Sequence, residues 1–122
     1  MQAAFLSLVL AAQLTAAAPS RATDAPFEPG LLRLAEILGS LHFLENLCGT
    51  AEADWRKEME TLLAAENPVP ERRERFIASF NDGFRAFART YSTCTPSATA
   101  AIALYRKEGE TLSRTVMTRY GN

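Results

Sequence analysis

Apolar side chains recur along this chain at helical spacing in four stretches, each bounded by residues that start or stop helices. From Gly30 onward, Leu31, Leu34, Leu38, Leu41 and Cys48 repeat at intervals of three, four or seven, and Ile37, Leu44 and Leu47 widen the apolar face over much of the circumference. Gly49 is placed to close this helix in the left-handed conformation. A helix with so little polar face belongs at the centre of a fold. Arg33, Glu36 and Glu45 interrupt it, so it does not read as a membrane span.

A second helix follows an N-cap in the Thr50 to Asp54 region, presents Trp55, Met59, Leu62 and Leu63 on one stripe, and stops at Asn67 and Pro68. Pro70 opens a third as a first-turn proline, with Glu71 where the helix dipole favours an acid. Along it Phe76, Phe80, Phe84, Phe87 and Tyr91 form an aromatic stripe bordered by arginines, a pattern that predicts core more readily than a base-stacking surface. Thr95 and Pro96 cap and start a fourth helix, whose buried face is predicted to hold Ala98, Ala101, Ile102, Tyr105, Gly109, Leu112 and Val116, with Gly121 at its end. The pattern predicts an all-α fold, an up-down four-helix bundle over residues 30–120.

Ahead of the helical region, Met1 to Ala18 is an uncharged apolar run ending in small residues, the composition of a secretory signal. No Lys or Arg precedes the run and Pro19 follows its Ala-x-Ala site; an uncleaved anchor is the alternative. Residues 19–29 contain three prolines and read as a linker.

Composition adds bounds. The 122 residues are 48% apolar and 22% charged, ordinary for one globular domain, and the net charge of -1 gives no general pull toward nucleic acid. The charge is unevenly spread: from Arg21 to Asn67 four basic residues face nine acidic ones, a balance of -5, and from Pro68 to Asn122 nine basic face five acidic, a balance of +4. Halves of opposite sign suit internal pairing in a bundle as well as a partner surface.

Two cysteines, Cys48 and Cys94, are the main chemical feature. In an exported chain they read as a disulfide before a metal site, and in an up-down bundle the end of the first helix and the turn between the third and fourth share one end. The rival reading is a reactive thiol at Cys94, just ahead of a helix N-terminus that would lower its pKa. His42, the only histidine, is a candidate haem ligand with Met59 or Met117, against the simpler role of a half-buried structural histidine. Gly83 and Gly109 fall at similar depths in consecutive helices and predict a close helix approach. Asn81, Asp82, Arg85 and Arg89 form a candidate interaction surface, and no carboxylate pair is set for acid-base catalysis.

The segments LLRLAEILGSLHFLENLCG, Trp55 to Glu66 and FNDGFRAFARTYSTCT, with the later Tyr105, Glu108 and Gly109, resemble a family of small exported alphaproteobacterial proteins known as a domain of unknown function. The resemblance implies a pair of well-separated, bonded cysteines and a periplasmic location. It brings no activity, substrate or cofactor. The expectation is a periplasmic structural or protein-interaction module with an envelope protein as partner, the alternatives being an apolar-ligand or haem-binding bundle and a thiol-dependent redox protein using Cys94.

Overall fold

The computed structural model describes residues 27–51 and 53–120, with side chains as far as residue 116. The leader, most of the linker and Gly121 lie outside the described residues. Helix α1 (Glu28–Cys48) starts two residues ahead of Gly30, with Pro29 in its first turn, where a missing N–H forfeits no helical bond. Gly49 closes it at φ 66°, and the N–H groups of Gly49 and Thr50 turn back to donate to the carbonyls of Asn46 and Glu45.

The other helix ends follow the same local logic. Helix α2 (Trp55–Glu66) begins where the Asp54 side chain accepts from the Lys57 N–H at 3.1 Å, and ends at Asn67 in the left-handed region, φ 42°. Helix α3 (Pro70–Thr90) has its proline at the first position. Helix α4 (Pro96–Tyr120) is capped by Thr95, whose Oγ1 accepts from the Ala98 N–H at 3.1 Å.

Helix α1 is the hub. It packs against α2, α3 and α4, α2 also touches α3, and among the described residues the backbone of α4 approaches neither α2 nor α3. The bundle is therefore three helices around one rather than four around a shared axis. The cause is the apolar circumference of α1, which needs cover on every side. Its Leu31, Ala35 and Leu38 join Met59, Leu63 and Phe76 in one buried cluster. Its Ile37, Leu41 and Leu44 join Ala98 and Ile102 of α4 in a second. Trp55 packs against both clusters.

Close helix approach is real, but its partners differ from those expected. Gly83 and Gly109 both face α1 instead of each other: a Cβ at Gly83 would collide with the Glu36 carbonyl oxygen, and one at Gly109 would lie 3.2 Å from Ile37 Cγ2. The tightest point is at Gly39, where a Cβ would collide with the Phe80 backbone. Gly39 and Gly83 thus let α1 and α3 cross with backbone against backbone.

The aromatic stripe divides by depth. Phe76 is fully buried, whereas Phe80, Phe84, Phe87 and Tyr91 are half-buried. Phe84 stands edge-on to Phe43 with centroids 5.3 Å apart, and Phe87 edge-on to Tyr105 at 5.2 Å, the latter pair bridging α3 to α4. Because part of the Phe84 ring already meets water, Phe84→Ala is expected to lose about 1–2 kcal/mol, against about 3–5 kcal/mol for a fully buried ring such as Phe76. Denaturant midpoints of the two variants, measured side by side, check this; equal losses would place Phe84 in the core.

Candidate functional site

The two cysteines lie at disulfide distance. Cys48, the last residue of α1, and Cys94, in the turn ahead of α4, have α-carbons 5.0 Å apart and an S–S distance of 2.06 Å. Cys48 is half-buried and Cys94 exposed, its sulfur 3.7 Å from Thr99 Oγ1. The bridge ties the C-terminal end of α1 to the α3–α4 turn, the same end of the bundle, as the up-down order requires.

Immediately below the bridge lies a charged group that the helical pattern alone did not single out. Glu45 is fully buried, and both its carboxylate oxygens are used: Trp55 Nε1–H donates to one, and Arg106 Nε–H donates to the other at 2.5 Å. Arg106 also pairs with it through Nη2, which reaches the Thr50 carbonyl at 3.3 Å as well. A carboxylate out of water is stable only when such partners surround it. Its signal in the sequence was position: Glu45 is one turn from both Leu41 and Cys48, inside the apolar face of α1. Chemically the cluster is a clamp, joining the start of α2 and the middle of α4 to the end of α1.

Two further charge clusters join the helices. Arg72 of α3 donates to Glu28 of α1 at 2.7 Å and to Glu66 of α2 at 2.8 Å, with Glu28 almost fully buried. The Glu28 bond raises the Arg72 pKa against the opposing effect of burial. Arg33 of α1 makes a two-point bond to Glu108 of α4, at 2.5 and 2.9 Å, and this bond holds the Glu108 carboxyl below its ordinary range. The Glu28, Glu66 and Glu45 pairs each join the acidic first half to the basic second half, and Arg33–Glu108 joins them in the opposite sense, so part of the charge imbalance is consumed inside the fold.

The candidate interaction residues lie together on α3. Asp82, Arg85 and Arg89 are exposed, and Asn81 is half-buried. Asn81, Asp82 and Arg85 border a shallow hollow of about 250 Å3 along the outer side of α3. Asn81 also borders a deeper groove between α2 and α3, of about 430 Å3, which takes in His42 and Met59. The His42 ring is tilted against Phe80 and Phe84 with centroids 5.9 and 5.8 Å away, and its Nδ1 is 3.5 Å from Asn46 Nδ2, surroundings that suit a structural histidine. The Met117 side chain lies outside the described residues. A second groove, of about 420 Å3, runs between α2 and α4 over the α1 residues Ile37, Leu38 and Leu41.

Among the described residues no group of three or more His, Cys, Asp or Glu is placed to hold a metal ion, and no helix is long and apolar enough to cross a membrane. Comparison with curated proteins and with solved structures yields no match. The family described as "Protein of unknown function (DUF2385)" matches residues 26–120, which takes in all four helices, both cysteines and the α3 surface. That span is most of the chain, and the protein belongs to this family.

Proposed function

We propose that the chain is exported to the periplasm and serves there as a disulfide-stapled helical module that binds a protein of the cell envelope through the outer face of α3. What carries this reading is that Asp82, Arg85 and Arg89 stand exposed on a helix locked to α1, with no ion-pair partner among the described residues. Arg33, Arg72 and Arg106, by contrast, are spent in ion pairs between helices. Unspent charge on a rigid surface favours recognition with little ordering loss. The apolar leader and the use of both cysteines in one bridge support an oxidising compartment.

One experiment tests both halves of the proposal. With a photocrosslinking side chain at Asp82, protein from the periplasmic fraction is expected to start between Ala17 and Arg21 and to yield one discrete adduct. Arg85→Glu with Arg89→Glu is expected to reduce that adduct at least tenfold while leaving the helical content unchanged. A full-length cytoplasmic product would end the export half; an adduct indifferent to the charge reversals would end the α3 half.

A further inference from the structure

Helix α2 leaves an open groove on each side of it, and the two differ in what they offer a ligand. On the α4 side the half-buried Leu34, Trp55 and Leu62 stand over a floor of Ile37, Leu38 and Leu41, so that groove also offers a ligand apolar surface. The exposed charges on that rim, Glu58 and Glu110, are acidic, and its arginine, Arg106, is held by Glu45.

On the α3 side the rim charge reverses. Ile77 is 38% exposed, and Phe80 and Phe84 are half-buried, so apolar surface remains to be covered. The rim carries Arg56 on α2 and Arg73 on α3, both exposed and neither with an ion-pair partner among the described residues, against one acid, Glu60.

We propose that the α2–α3 groove binds a single-chain anionic amphiphile, a long-chain carboxylate being the simplest, with its apolar tail along Leu63, Ile77, Phe80 and Phe84 and its charge met by the rim arginines. The size suits a small ligand. The groove holds about 430 Å3, within the range of about 300–1,000 Å3 usual for small-molecule sites. Charge selects an anion, since two unpaired guanidinium groups outnumber the single carboxylate. The site adjoins the proposed protein contact at Asp82, Arg85 and Arg89, with Ile77 and Asn81 between the two.

The test is calorimetric titration of the delipidated, disulfide-bonded protein with dodecanoate below its micelle concentration. Saturable binding of one molecule per chain is expected, weakened about tenfold on shortening the probe to decanoate, the loss of two buried methylenes. Dodecyltrimethylammonium is expected to bind at least tenfold more weakly than dodecanoate. Arg56→Gln with Arg73→Gln is expected to weaken dodecanoate at least tenfold with helical content unchanged, while Glu58→Gln with Glu110→Gln leaves it unaltered. Trp55 lines the α4-side groove and not this one, so its emission is expected to stay constant. The proposal is overturned by absence of saturable binding, by equal affinity for both headgroups, by indifference to the arginine substitutions, by a Trp55 response that places the probe in the other groove, or by an acidic amphipathic peptide that occupies the site where dodecanoate does not.

Discussion

Changing both Cys48 and Cys94 to serine is expected to lower stability by about 4 kcal/mol. The bridge closes a loop with a sequence separation of 46, and in the chain-entropy picture cross-links of that span remove about 4 kcal/mol of freedom from the unfolded chain. Against a total of about 5–15 kcal/mol for a domain of ordinary stability, that is a large fraction. The helices should survive it in whatever population stays folded, because their caps at Asp54, Asn67 and Thr95 are local and do not pass through the sulfurs. Denaturant unfolding followed by circular dichroism checks both statements: the midpoint drops, and the native-baseline helicity does not. Unchanged stability would mean that the Glu45 clamp alone holds that end of the bundle. A redox role makes a different demand on the same cysteines. A structural bridge resists mild thiol reductants, whereas opening under such conditions, with Cys94 alkylated first, would favour the thiol-dependent alternative.

Gly39→Ala is expected to lose about 3 kcal/mol, opposite in sign to what the same change does in an exposed helix. There, alanine for glycine gains about 1 kcal/mol by restricting the unfolded chain and favouring helical geometry. At Gly39 the added methyl would meet the Phe80 backbone, which has no flexible side-chain end to swing away. Helices α1 and α3 would have to separate, opening gaps around Phe76 and Leu38 and disturbing the Arg72–Glu28 bond. Gly83→Ala, facing the Glu36 carbonyl, is expected to behave alike, and the double variant to lose less than the sum, since one separation relieves both clashes. Gly30 is the internal control. Its added methyl would lie 3.9 Å from Leu112 Cδ2, an ordinary contact, so Gly30→Ala is expected to be neutral or stabilising by up to about 1 kcal/mol. Should Gly39→Ala and Gly30→Ala prove equally stable in thermal and denaturant unfolding, the backbone crossing described here is not the one present in solution.

Much of the local structure is legible in the amino-acid order alone. Helix starts at Asp54, Pro70 and Thr95, and stops at Gly49 and Asn67, depend on side chains or backbone angles of the residues themselves, so they are legible without knowing what packs where. The central place of α1 was also legible, because a helix with no broad polar face has only one stable environment. The approach of Cys48 to Cys94 within disulfide distance followed from the order of helices, since two ends that share one pole of an up-down bundle come within reach.

Other features depend on which helices meet. Glu45 and Glu28 look like surface acids until Trp55, Arg106 and Arg72 arrive from other helices to surround them, and nothing local to either residue encodes those partners. The stripe from Phe76 to Tyr91 has one period but several depths, because α3 leans on α1 at Gly39 and Gly83 and leaves the remainder of its face partly open. Gly109 turned toward α1 instead of Gly83 because the backbone of α4 approaches α1 and not α3. The two grooves beside α2 have no sequence signature of their own: they are the space left when three helices surround one, and their opposite rim charges appear only once α2 is seated between α3 and α4 on that central helix. Helical periodicity reports which face of a helix avoids water, whereas the identity of what covers that face is set by contacts between residues far apart in the chain.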